Sequence, residues 1–235
     1  MKTTWSLFRN GQMALAEKRL REASDKMYRE DPLGNIQDWV WRLAMFVTGP
    51  VYEEPFRGAV DVLRKALESV QAEQLLAHYN SVMSVPRGMR YFELMKSYFS
   101  AYDEFAQVQF IVTGGVGLGE GYRVASTNFD ATRMFYGNAF EVFASQVDIL
   151  AFLNNVIAGR AFDRFERMTA DEYLRLDKSS RFNPFQGNGP LSALCVEADN
   201  QIRNASHHGG FVFDRAAQVI RYRSGKGGDG RRAAA

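Results

Sequence analysis

The sequence predicts a mainly α-helical fold with a short C-terminal β-hairpin, and three observations carry that expectation. Apolar residues recur near a 3.6-residue period over most of the chain. The interruptions fall at Gly and Pro positions that suit helix ends. The period changes only once, after Gly209-Gly210, where Phe211-Val212-Phe213 and Val219-Ile220-Arg221-Tyr222 alternate as two short strands do.

From the N-terminus, residues 12–30 place Met13, Leu15, Ala16, Leu20, Ala23 and Met27 on one helical face, stopped by Pro32 and Gly34. Ile36, Trp39, Val40, Leu43, Ala44 and Val47 form the next apolar face, ended by Gly49-Pro50. A third helix is expected from Pro55 to about Ser84, broken by Pro86 and Gly88. A fourth, aromatic-rich helix is expected from Tyr91 to Val112. At helical spacing, such aromatics are more often core than a base-stacking platform. A long helix follows from about Thr132 to Arg160, then a short one from Thr169 to Leu176. Asn183 to Pro190 is expected as loop, and Pro190 to Ser206 as a helix with proline at its first position. The tail from residue 225 is Gly, Arg and Ala rich and is expected to be disordered. A boundary near Val85 to Gly88 divides an N-terminal helical region, 1–87, from a bundle over 88–224.

Composition narrows the function classes. The 235 residues are 46% hydrophobic and 24% charged, enough apolar material for a core and too much for a disordered chain. With 29 basic and 27 acidic residues the net charge is +2, so binding to nucleic acid requires a local patch. The one cysteine, Cys195, excludes an intrachain disulfide and is read as a small buried hydrophobe. No ligand spacing suggests a metal, and no cofactor is expected. The most apolar stretch, Phe140 to Ile157, carries Glu141, Asp148, Asn154 and Asn155, which argues against a bilayer span. With no apolar leader at the N-terminus, a cytoplasmic location is expected.

Several tempting motifs have plainer readings. The run Thr113 to Gly121 lacks both the Lys-Ser/Thr of a Walker loop and the GxGxxG spacing, and reads as a connector. Glu53-Glu54 and Asp171-Glu172 sit at helix starts, where carboxylates complement the dipole. Histidine is the sharper signal. Of His78, His207 and His208, the last two stand together in Arg203-Asn204-Ala205-Ser206-His207-His208-Gly209-Gly210. Arginine forks onto phosphate oxygens and histidine exchanges protons near neutral pH. The alternative is a C-cap, with histidines favouring the negative end of the helix dipole, glycine terminating it, and Asp199–Arg203 forming an i,i+4 pair.

The segment Glu197 to Asp214 resembles the signature of the HEPN superfamily, Arg-Asn-x-x-x-His at the end of the last long helix of a helical bundle. Arg203, Asn204 and His208 match it, and His207 is an extra histidine beside the matched one. The resemblance covers about Tyr91 to Tyr222. It implies an HEPN-like bundle with extra N-terminal helices, acting as a homodimeric, metal-independent endoribonuclease. Its setting would be prokaryotic toxin–antitoxin, abortive-infection or antiviral defence, with RNA as substrate and an antitoxin or regulatory protein as partner. On that reading Arg203, Asn204, His208 and His207 form the catalytic set, and Asn200, Arg221 and Arg223 contact RNA. Lys226, Arg231 and Arg232 either extend that basic cleft or are a solvating tail. Other members of the superfamily have lost activity, so the alternative is an inactive module that binds a partner protein or a nucleotide.

Overall fold

A computed structural model describes residues 2–27, 30–35, 38–39, 41–42, 45, 52–114, 128–214, 219–223 and 230–234. The protein is mainly helical with a small C-terminal antiparallel sheet. By compactness it divides into two units, Met1–Gly49 and Pro50–Ala235. The division expected near residue 87 falls inside a helix.

In the first unit α1 (Lys2–Arg9) packs on α2 (Met13–Met27). The turn between them uses Gly11 at φ 71°, a left-handed conformation that glycine adopts without strain. Ala16 and Leu20 of α2 are buried, as their spacing predicts, but Leu15, placed on the same face, is exposed. Beyond Pro32, the Leu33 N–H donates to the buried Ser24 Oγ at 2.6 Å and fastens the chain to α2. Trp39 is buried, and Asp38 pairs with Arg42 at 3.0 Å. Ile36, Val40, Leu43, Ala44 and Val47 of the expected apolar face lie outside the described residues.

The second unit begins with α3 (Glu53–Ala66), whose start coincides with the Glu53-Glu54 pair. The single helix expected over 55–84 is broken. Ser69 caps α4 (Val70–His78) by accepting the Ala72 N–H on its side chain, which ends one helix and starts the next. Pro86 and Gly88, expected as breakers, do not break. A π turn over Tyr79–Met83 joins α4 to α5 (Ser84–Ser100) with helical backbone throughout. Its wider ring relieves the clash that a proline makes with the preceding turn. Burial of Phe92, Met95 and Tyr98 on α5 outweighs the roughly 1 kcal/mol that a helical Gly88 costs. The aromatic helix is also two: Ala101 separates α5 from α6 (Tyr102–Thr113), with Tyr98 buried and stacked on Phe105 at 5.1 Å. Of the glycine run, Gly115 to Gly121 lie outside the described residues.

The long apolar helix resolves into α7 (Phe129–Ala144) and α8 (Asp148–Ile157), joined by a tight turn. Together they are long and apolar enough to cross a membrane by composition. Here α8 is instead the centre of the core: Ala151, Phe152, Leu153 and Val156 are buried against Leu75, Tyr173, Phe182 and Leu191. Its first residue, Asp148, is buried and paired with Arg87 of α5. Next, α9 (Ala170–Arg175) starts at a full capping box, Thr169 with Glu172. The first residues of the expected loop, 183–185, fall in a 3₁₀ turn, Ser180–Phe185, that holds Pro184.

The helix expected over 190–206 is split. A short α10 (Gly189–Ser192) and a 3₁₀ turn (Ala193–Cys195) come first, and α11 (Asn200–His208) follows. The expected hairpin is present: β1 (Phe211–Asp214) pairs antiparallel with β2 (Val219–Arg223), Phe211 opposite Tyr222. In the tail expected to be disordered, β3 (Gly230–Ala234) adds a third strand to β2. A run of Gly, Arg and Ala carries no strand signal, so pairing with an open edge is what orders it.

Candidate functional site

The histidine cluster ends α11, and local chemistry sets both ends of that helix. At its start the Asp199 carboxylate accepts the N–H groups of Gln201 and Ile202 at 2.7 and 3.2 Å. Tyr136 of α7 accepts the Asp199 N–H at 3.0 Å and donates to Glu197 O at 3.0 Å, so the bend is held from outside. Burial raises the Tyr136 hydroxyl above the usual phenol range. At its end Gly209 stands at φ 66°, and its N–H returns to Ala205 O. The helix therefore stays regular through His208, two residues beyond the expected end at Ser206.

One face of α11 is pressed onto α7. Ser206 is fully buried and donates to Ile202 O at 2.8 Å. Arg133 Nη1 donates to Ser206 O at 2.6 Å, placing a cation on the carbonyl end of the helix, where the dipole favours it. Gly137 makes the approach possible. A Cβ there would come within 2.8 Å of His207 Nε2 and 3.1 Å of Ser206 Cβ.

Arg203 is held by the same face. Its Nε and Nη2 donate to Glu141 Oε1, and Lys178 Nζ donates to Glu141 Oε2. Arg203 Nη1 donates to Asn204 Oδ1 at 2.7 Å. The i,i+4 partner expected for Arg203 was Asp199, but that carboxylate caps the helix and Arg203 turns to α7. Partial burial alone raises the Glu141 carboxyl, but the Lys178 and Arg203 hydrogen bonds and charges outweigh it and hold the group below its ordinary range. Two cations on one carboxylate leave the cluster net positive.

The two histidines differ. His207, four residues after Arg203, shares its helix face, and its ring tip lies over Gly137. His208 is exposed and stands about 140° around the helix from Arg203. Asn204 is exposed. Within one chain, then, Arg203, Asn204 and His207 gather at one end of α11, and His208 looks elsewhere. The other sequence-nominated residues are dispersed. Asn200 opens α11, about 12 Å along its axis from His208, and lines a cavity of about 290 Å³ with Phe140, Phe182 and Cys195. Arg221 is exposed on β2 and donates to Asp214 at 2.8 Å. Arg223 closes β2, but its side chain lies outside the described residues, as do those of Arg231 and Arg232 and the whole of Lys226.

Sequence reasoning overlooked Glu141, Lys178, Arg133 and Gly137. Two of them left a signal: a glycine inside a helical pattern marks a close approach, and a carboxylate on a largely apolar helix needs a partner. The remaining candidates are structural. Burial pushes the Cys195 thiol up to about 12, which keeps it from being a thiolate nucleophile at neutral pH. The His78 ring packs 5.0 Å from Phe162. Among the described residues no group of three His, Cys, Asp or Glu side chains is placed to hold a metal. Set against known proteins, the chain matches no family model, no curated protein and no solved structure.

Proposed function

We propose that the end of α11 is one half of the active site of a metal-independent endoribonuclease that works as a homodimer. The observation that carries this reading is the clustering of Arg203, Asn204 and His207 at one partly open helix end, with His208 exposed beside them. It rests as well on the Arg-Asn-x-x-x-His resemblance and its prokaryotic defence or toxin setting. RNA supplies its own nucleophile, the 2′-hydroxyl. A histidine takes that proton or gives one to the leaving 5′-oxygen. Arg203, with N–H groups left over from Glu141 and Asn204, offsets the charge that builds on the phosphoryl oxygens. His208 faces away from its own Arg203, so in this reading it works against the partner protomer's α11. The products are a 2′,3′-cyclic phosphate and a 5′-hydroxyl.

Incubation of the purified protein with mixed RNA in EDTA, followed by end-group analysis, tests the reaction. Cyclic phosphate ends without added metal are expected. Cleavage that appears only on adding magnesium or manganese contradicts the mechanism. One observation favours a second reading, an inactive module that binds a partner protein or nucleotide: the Arg203 fork already grips Glu141. RNA left intact by a dimeric, folded protein supports that reading instead.

A further inference from the structure

The cavity that Asn200 lines lies next to the Lys178–Glu141–Arg203 cluster. Three of its walls are chain neighbours of that cluster. Ser179 follows Lys178, Phe140 precedes Glu141, and Asn200 stands three residues before Arg203 on α11, where side chains meet. Glu141 gathers the two cations on its carboxylate, so both stand on the same side of the cavity. Its volume, about 290 Å³, is at the lower end of the range of small-molecule sites. Its lining is mixed. Phe140 and Phe182 are buried and give it an apolar floor. Ser179 and Gln186 are exposed and Asn200 is half-buried, so the polar residues stand toward water.

Each amide at that rim carries two donors and an acceptor, the groups that pair with the edge of a base. The cations beside it have donors to spare. Lys178 Nζ has three N–H groups and gives one to Glu141. Arg203 has five, of which Glu141 and Asn204 take three. Both side chains reach water, at 37% and 27% exposure. An apolar floor, an amide rim and two neighbouring cations answer the face, the edge and the phosphate of one nucleotide. Proteins that read single-stranded RNA take up its unstacked bases in this way.

We infer that this cavity takes one unpaired base of single-stranded RNA, with the phosphate of that nucleotide on Lys178 and Arg203 and the base edge read by Asn200 and Gln186. The inference rests on the α11 reading for the polymer, and adds to it a base site beside the bond that is cut.

The full chain is titrated with the four ribonucleoside 5′-monophosphates, their nucleosides and ribose 5-phosphate. None of these has an internucleotide bond, so binding is read apart from cleavage. Titrations are followed by the ¹⁵N–¹H signals of the Asn200 and Gln186 side-chain amides. The tightest monophosphate is expected to shift those signals and to bind about 10-fold tighter than its own nucleoside, the effect of a charge-assisted hydrogen bond. It is also expected to bind tighter than ribose 5-phosphate, which leaves the amide signals in place. Lys178→Gln is expected to narrow the gap between monophosphate and nucleoside. Asn200→Leu is expected to weaken the monophosphate about 2- to 10-fold and to leave ribose 5-phosphate unchanged. The comparison among probes is made on the unaltered protein and needs no variant to fold. No binding by any monophosphate, ribose 5-phosphate or nucleoside as tight as the monophosphate, or unmoved amide signals overturns the proposal. So does a monophosphate affinity that neither variant alters. Binding as expected by a protein that leaves RNA intact keeps the site and removes the ribonuclease reading. Cleavage of RNA without mononucleotide binding removes the site alone.

Discussion

Two arginine–carboxylate pairs, both reaching between helices of the second unit, show how burial separates a structural ion pair from a functional one. Arg87 and Asp148 are 13% and 10% exposed, at the head of the core helix α8. Arg87 also holds Gln146 O, and Asp148 accepts its own helix's Ile149 N–H, so the pair is tied into the turn between α7 and α8. Arg203 and Glu141 are 27% and 25% exposed, and the pair is shared: Lys178 also holds Glu141, and Arg203 also holds Asn204. The same two groups therefore do different work. Removed from water, the first pair is a fixed joint that cannot lose one member cheaply. In reach of water, the second is an adjustable one, whose arginine keeps donors for another anion.

The largest expected effect tests the fixed joint. Asp148→Ala leaves a buried guanidinium unpaired and is expected to lose about 3–5 kcal/mol in urea denaturation. Glu141→Ala, read in the same assay, is expected to lose about 1 kcal/mol or less, as solvent-accessible pairs do. Equal losses erase the distinction between the two pairs.

A smaller effect sharpens the account of α11. Gly137→Ala gains about 0.5–1 kcal/mol of helix propensity. Its new Cβ would stand 2.8 Å from His207 Nε2, so the ring tip must move. Stability is expected to change by under about 1 kcal/mol, because the propensity gain and the contact oppose each other, while the His207 ring resonances shift. Unmoved His207 signals contradict the packing of that ring on α7.

The smallest effect is a pH dependence. Partial burial opposes ionisation of Glu141, but Lys178 and Arg203 pull its folded-state value below the ordinary 4.5. A lowered folded value means that the carboxylate's contribution is present above the unfolded value and is lost as pH falls through the folded one. The stability gap between the parent and Glu141→Gln is thus expected to be full at pH 6, to shrink below about 4.5, and to close under strong acid. A gap that is unchanged across that range contradicts the two-cation grip.

What was legible in the sequence divides along the same line of local against distant causes. The hairpin was readable because its alternation and the Gly209-Gly210 stop are local. So were the start of α9 and the burial of Ala16 and Leu20 on α2. The helix breaks at Ser69, Ala101 and Asp199 were not, because a helical period continues across them while a side-chain cap or a single turn redirects the chain. Pro86 misled for the opposite reason, since the π turn before it makes room that no local rule announces. At the candidate site, Arg203, Asn204 and the histidines were readable as a short local pattern. Glu141, which holds Arg203, and Lys178, which holds Glu141, are separated from Arg203 by 62 and 25 residues in sequence. The packing of α11 on α7 brings Glu141 to Arg203, and the segment after α9 adds Lys178.

The central claim, that the adjustable pair serves catalysis, is tested most directly by RNA cleavage in EDTA with a single series of α11 variants. Arg203→Ala is expected to lose about 10²- to 10³-fold, as a missing charge-stabilising donor does. His208→Ala is expected to lose roughly 10²- to 10⁴-fold, as a missing general acid or base does. Arg203→Lys is expected to fare little better than alanine, because it keeps the charge without the fork. His207→Ala is expected to cost less. A dead His207 variant beside an active His208 variant moves the proton-transfer role by one residue. Cleavage undiminished in Arg203→Ala and in both histidine variants contradicts the account and leaves α11 a capped helix with no part in RNA chemistry.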